Sequence, residues 1–244
     1  MTLAADLAAA LDPVVLFAQA IGKPAHDWQR GYLRETRPTV VLKGRQTGAS
    51  TAAAVLAIHN ALYGPGADAV IVSPSLRQST EIATRARTGL RALGVRLTQD
   101  STSMLRLPNG ARILSLPGTA RSVRGWTARL LILDEAAFIE PATFTAARAL
   151  VATGGRLVVQ STPAGEWGDF HDLVTGDAPE WARFTVRSDE VPTIAPGFLE
   201  AERRAMTPDA YSTEYECVFG KAGASLFTAE GLAGLILPTE EIPA

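Results

Sequence analysis

The chain has 244 residues and a mass of 25.8 kDa; 23 Lys and Arg against 25 Asp and Glu leave a net charge of −2, with a mean hydropathy of +0.10. With 47% hydrophobic and 20% charged residues it is neither disordered nor fibrous, and it is long enough to bury roughly 70–75% of its unfolded surface. No apolar run approaches the ~20 residues of a membrane span, the acid-bearing N-terminus lacks a basic secretory leader, and the single Cys217 excludes a disulfide framework and a Cys-rich zinc site.

The chain opens with a stretch, residues 1–37, that reads as helical. Thr39–Lys43 is an apolar strand, and Ser50 to Tyr63 an Ala-rich helix ended by Gly64-Pro65-Gly66. Ala69–Ser73 is a second strand. A long helix over Leu76–Leu93 follows, opened by Ser75 and closed by Gly94. A hairpin comes next, Ser103–Leu107 and Arg112–Leu116 joined at Pro108-Asn109-Gly110. Leu130–Asp134 and Arg156–Gln160 are two more buried strands. Strands that are apolar throughout and joined by helices imply a mostly parallel sheet covered on both faces, an α/β fold. Three parts are expected: a helical segment at 1–37, a core at 38–219, and a Gly- and Pro-punctuated, linker-like tail at 220–244. Charge is uneven along this order. Ten arginines face two acids, Glu81 and Asp100, between Arg77 and Arg129, while the rest holds 13 basic and 23 acidic residues. So basic a middle third points to an anionic partner such as nucleic acid, although a solvated helix face would carry arginine too.

The first strand runs into Lys43-Gly44-Arg45-Gln46-Thr47-Gly48-Ala49-Ser50-Thr51 and then a helix. A strand, a glycine loop and a helix N-terminus form a phosphate cradle of backbone N–H groups, with Ser50 offering a hydroxyl for Mg²⁺. The usual lysine before that hydroxyl is replaced by Ala49, so Lys43 or Arg45 must supply the cation. The loop by itself is a weak signal, because glycine turns join strands to helices in many folds. Leu130–Leu133 delivering Asp134-Glu135 at a strand tip strengthens it. Asp134 would hold Mg²⁺ and Glu135 would polarise the attacking water; helix capping is the plainer alternative. Ser161 and Thr162 after the next strand could sense a γ-phosphate. Trp28-Gln29 offers an aromatic face and an amide suited to adenine. His26, His59 and His171 have no metal spacing.

Taken in order, Trp28-Gln29, GRQTGAS at 44–50, SVRG at 122–125, LLILDEAAF at 130–138 and STP at 161–163 resemble the ATPase domain of tailed-phage large terminases, the DNA-packaging motors. The resemblance implies an ASCE-type, RecA-like P-loop NTPase domain binding ATP and Mg²⁺. Some members are similar in carrying the loop lysine at its first position, which assigns that role to Lys43. It further implies adenine at Gln29, phosphates at Lys43 and Gly48, the metal at Ser50 and Asp134, and the catalytic base at Glu135. Ser161-Thr162 would couple hydrolysis to movement, and Arg45 or Arg124, with Arg121 as the alternative, would be the arginine finger. Implied partners are double-stranded DNA, a homo-oligomeric ring on a portal protein, a small terminase subunit and a nuclease domain. No nuclease cluster is expected in this chain, and the implied place of action is the host cytoplasm. Two rival readings stand beside it: a non-hydrolysing, nucleotide-gated DNA clamp, motivated by Ala49, and a superfamily 2 helicase fragment.

Overall fold

The computed structural model describes residues 2–64 and 68–220, with the backbone alone at 152 and 153. Three short helices come first: α1 (Leu3–Leu11), α2 (Pro13–Ile21) and α3 (Asp27–Arg34). Each break between them has a local cause. Thr2 caps α1 through its side chain, and Asp12 caps α2 by accepting from Val14 N at 3.0 Å, with Pro13 at the first helical position where its missing N–H costs nothing. Gly22, at φ 73°, ends α2 in the left-handed conformation.

Strand β1 (Thr39–Lys43) leads through the glycine loop into α4 (Ala49–Tyr63), and β2 (Ala69–Ser73) leads into α5 (Leu76–Ala92). A small antiparallel unit follows, β3 (Gln99–Asp100), β4 (Met104–Arg106) and β5 (Arg112–Pro117), then α6 (Ala120–Val123) and β6 (Ala128–Asp134). Beyond a 3₁₀ turn at Ala136–Phe138 come α7 (Pro141–Arg148), β7 (Val151–Ser161), α8 (Gly168–Thr175) and β8 (Ala182–Val186). A second 3₁₀ turn at Ser188–Glu190, α9 (Pro196–Ala205) and α10 (Pro208–Glu216) complete the described chain. The eight strands form one sheet in the order β3-β4-β5-β2-β6-β7-β1-β8. Only the β3–β4 and β4–β5 pairs are antiparallel; β5–β2, β2–β6, β6–β7, β7–β1 and β1–β8 are parallel. This is the mostly parallel, helix-covered sheet expected from the apolar strands.

Each central strand feeds both faces. Ile71, Ile132 and Val158 point into a core shared with α4, α5 and the N-terminal helices, while Val70, Val72, Leu131, Leu133 and Val159 point into one shared with α7 and α8. Helix α4 lies inside the first core, with Ala52, Ala53, Ala54, Ala57 and Ala61 fully buried. Alanine combines the highest helix propensity with the shortest side chain, so α4 sits close on the sheet while α5 packs across it. Leu16, Phe17, Ala20, Tyr32 and Leu33 of α2 and α3 enter that same core. A reciprocal cap opens α5: Ser75 Oγ accepts from Gln78 N, and Gln78 Oε1 accepts from Ser75 N, an arrangement contributing about 1 kcal/mol.

Two features depart from the expected elements. Strand β7 begins five residues before the expected start at Arg156 and runs through Gly154-Gly155. The register steps from Ala128↔Val151 to Leu130↔Arg156, so a bulge with Gly154 at φ 74° absorbs the extra residues. The edge strand β8 and helices α7 to α10 are not among the expected elements. Residues 65 and 66 of the expected helix end, and the tail at 221–244, lie outside the described residues; within them, no helix is long and apolar enough to cross a membrane.

Candidate nucleotide site

Strands β2, β6, β7 and β1 end at one edge of the sheet, and the site is built where they end. The loop Lys43–Thr51 leaves β1 there and turns into α4. Its shape is held from outside. Gly44 N donates to Val186 O at 2.9 Å, Arg45 N to Glu214 O at 2.8 Å, and Ser188 Oγ to Arg45 O at 2.7 Å. A Cβ on Gly44 would stand 2.4 Å from Ser188 Oγ and 2.7 Å from Tyr215 O, so only glycine fits against this clamp. Gly48 sits at φ 82°, and its carbonyl accepts from Gln29 Nε2 at 3.1 Å. Gln46, at φ 61°, holds a left-handed conformation without being glycine, a strained backbone position of the kind found at functional loops.

Lys43 is almost wholly buried, and its Nζ donates to Glu135 Oε1 at 2.6 Å, across 92 residues of sequence. Glu135 adopts φ 52°, which turns its side chain off the tip of β6 towards the loop. Its other oxygen, Oε2, accepts from Ser161 Oγ at 3.2 Å, Thr162 N at 3.3 Å and Thr162 Oγ1 at 3.5 Å. The phosphate loop, the acid-tipped strand and the Ser-Thr strand therefore meet at one carboxylate. Burial pushes the Glu135 carboxyl up, but the Lys43 charge and hydrogen bond, with the Thr162 and Ser161 donors, outweigh it and hold the group below its ordinary value. Asp134 goes the other way: burial raises it, against the Lys43 charge and a 2.7 Å hydrogen bond from Gln160 Nε2. Neighbouring carboxylates are thus set apart, one ionised in a cation's grip, the other buried beside an amide.

A cavity of about 820 Å³ lies over the loop, lined by Lys43 to Thr51, Gln78, Arg85, Glu135, Phe138, Thr162 and Glu214. Ser50, Asp134 and Glu135 share a smaller cavity beside it with Ser75 and Gln78. A third cavity opens behind Gly48 and Thr51, lined by Phe17, Ile21, Pro24, His26, Trp28 and Gln29 among others. Its apolar lining, with the Trp28 indole N–H buried and unpartnered, suits a planar heterocycle. The hydroxyl of Ser50 and the carboxylate of Asp134 are hard oxygen donors of the kind Mg²⁺ takes, and the buried, unpartnered Gln160 Oε1 adjoins them through its bond to Asp134. The residues present fit both groups.

The structure brings together Lys43, Gly44, Arg45, Gln46, Thr47, Gly48, Ala49, Ser50, Thr51, Asp134, Glu135, Ser161 and Thr162, with Trp28 and Gln29 at the rear cavity. Gln29 is buried, and its amide is engaged at both ends, by His26 N and Gly48 O. The Arg45 guanidinium faces Glu214 in a bidentate pair, at 2.6 and 3.1 Å. Arg121 and Arg124 are exposed on and after α6 and do not line the phosphate cavity. Sequence reasoning missed Glu214, Ser188 and Tyr215, which carry no motif, and Gln160, whose place two residues after buried Val158 on β7 was its one signal.

A strand, phosphate loop and helix, an acid-tipped strand, and a third strand interposed between them define a P-loop NTPase. The chain belongs to the terminase large subunit family, T4-like-virus type, N-terminal part, whose model matches residues 40–233. No curated protein sequence matches it. The large terminase ATPase domain of Thermus phage P74-26 superposes with a TM-score of 0.70 at 23% identity, over 86% of this chain and 99% of that one. The HK97 bacteriophage large terminase gives 0.67 at 15% identity, over 86% and 55%. The large terminase of the thermophilic bacteriophage D6E, in complex with ADP, gives 0.65 at 12%, over 84% and 53%. The chain thus spans about half the length of the latter two.

Proposed function

We propose that this chain is the ATP-hydrolysing motor part of a viral DNA-packaging machine. The observation that carries the reading is the junction at Glu135, where Lys43, Ser161 and Thr162 converge on one carboxylate. ATP lies with its base towards Trp28 and Gln29 and its phosphates in the loop. Its γ-phosphate competes with Glu135 for Lys43. Once Lys43 turns to the phosphate, Oε1 is free to accept a proton from the attacking water, while Ser161 and Thr162 hold Oε2 and fix the carboxylate's direction. Mg²⁺, held through Ser50 and Asp134, supplies charge neutralisation at the phosphates. When the γ-phosphate leaves, Lys43 returns to Glu135, and the change at Thr162 passes into the segment after β7. Arg124 or Arg121 acts as a finger on the nucleotide of a neighbouring copy; Arg45 takes that role only by leaving Glu214.

The motor works as a homo-oligomeric ring on a portal, in the host cytoplasm, beside a small terminase subunit and a nuclease domain, and moves double-stranded DNA. The test is steady-state ATP turnover across protein concentrations, with and without double-stranded DNA, using Glu135→Gln as the blank. Removing the base is expected to lower turnover by roughly 10²-fold or more while nucleotide binding persists. Turnover per subunit that rises with concentration or DNA supports a ring motor. Wild-type turnover equal to the blank, in protein that binds ATP, refutes hydrolysis and favours the clamp.

A further inference from the structure

Cationic groups from two elements border the phosphate cavity. Lys43 and Arg45 belong to the loop itself, and each already faces a carboxylate, Glu135 and Glu214. Arg85 comes from α5, about three turns beyond the cap of that helix at Ser75, and lines the same cavity. Among the described residues it has no ion pair. Its one hydrogen bond is a long one, from Nη1 to Thr51 Oγ1 at 3.5 Å. The sequence from Arg77 to Arg129 is crowded with arginines, but Arg87 and Arg91 are occupied by Asp100, and Arg112 by Asp68. Arg85 is therefore an exposed guanidinium held over a phosphate cradle by a hydroxyl instead of a carboxylate.

Its position along the nucleotide follows from Thr51. Glu135 and Thr162 mark the γ end of the cavity, and Trp28 and Gln29 mark the base end. Gly48 and Thr51 line both the phosphate cavity and the cavity behind it, so they stand at the passage between phosphates and base. We infer that Arg85 is a nucleotide-binding residue that neutralises the phosphate nearest the ribose, acting in the same chain. This rests on the nucleotide-site reading above and adds a contact from outside the loop. A planar guanidinium turning from the Thr51 hydroxyl to a phosphate oxygen exchanges a long bond to a neutral acceptor for one to an ionised acceptor. The contact serves ADP and ATP alike, since both carry that phosphate.

The test is equilibrium binding of ADP and of ATP by the whole chain, for wild type, Arg85→Ala, Arg85→Lys and, as a surface control, Arg96→Ala. Thermal melting without nucleotide confirms that each variant is folded. Arg85→Ala is expected to weaken ADP and ATP by the same factor, roughly tenfold or more. Arg85→Lys recovers part of the loss by keeping the charge without the fork, and Arg96→Ala matches wild type. Arg85→Ala binding both nucleotides like wild type overturns the inference; if DNA binding alone then falls, Arg85 is a DNA contact. Loss of ATP affinity with ADP unchanged also overturns it, because the contact would lie at the γ-phosphate. Wild type that binds neither nucleotide overturns the nucleotide-site reading, and this inference with it.

Discussion

Replacing Lys43 with methionine tests the electrostatics of the site without reference to activity. The change keeps the length of the side chain, which is 8% exposed, and removes the charge that sits 2.6 Å from Glu135. Two adjacent carboxylates then remain at the tip of β6 with no cation in contact. Breaking a buried ion pair from one side costs about 3–5 kcal/mol. Here the Glu135 side chain is 23% exposed and keeps the donors on Ser161 and Thr162, so about 3 kcal/mol, the low end of that range, is expected. The pH dependence has a definite sign. In the wild type Glu135 is held below its ordinary 4.5, so its contribution is present above that value and is lost as pH falls through the folded value. Asp134 is raised, so its ionisation opposes folding at neutral pH and is relieved on acidification. Without Lys43 both carboxyls titrate upwards, and the deficit of the variant shrinks between pH 7.5 and pH about 5. Urea unfolding at the two pH values measures this, and Lys43→Met/Glu135→Gln, which removes the stranded charge, should recover at least half the loss. A variant within about 0.5 kcal/mol of wild type at pH 7.5, or a double variant no better than the single one, would refute the argument.

Three other substitutions probe the scaffold and the proposed metal site. Gly44→Ala drives a Cβ into Ser188 Oγ and the Tyr215 carbonyl and is expected to cost about 1–3 kcal/mol in urea unfolding; adding Ser188→Gly leaves the Tyr215 clash and so restores only part. Gln29→Leu removes the donor to Gly48 O and the acceptor for His26 N, lowering stability by about 1–2 kcal/mol. Because the loop loses its tether, ADP affinity falls as well, and calorimetry showing unchanged affinity would contradict the tethering role. Gln160→Leu strips Asp134 of its 2.7 Å donor. Asp134, already pushed up by burial, rises further and competes less well for Mg²⁺, so the Mg²⁺ concentration giving half-maximal turnover should increase several-fold while saturating turnover changes less.

Much of the site was legible because its pieces are local. Lys43 to Thr51 is a continuous segment whose glycines and hydroxyls suit a phosphate cradle, and Asp134-Glu135 follows a short apolar run that reads as a buried strand. The early start of β7 was not legible, since glycines favour no strand by themselves and only the pairing with β6 shows that a bulge at Gly154 accommodates them. Strand β8 went unread because Arg183 and Thr185 alternate with Phe184 and Val186 over only five residues, too short a run for periodicity to separate an edge strand from a loop.

The central strands and the helices after β1 and β2, the order of the motifs and the cation missing before Ser50 are properties of neighbouring residues, and the sequence alone determined them. Which carboxylate each of the two loop cations faces was decided by tertiary structure. Lys43 reaches Glu135 only because β7 lies between β1 and β6 in a parallel sheet, bringing residues 92 apart to 2.6 Å. Arg45 meets Glu214 across 169 residues because α10 folds back along the loop. Such pairings depend on strand order and helix placement, which arise when distant apolar faces are buried together. No local pattern of residues encodes which charge will then stand beside which.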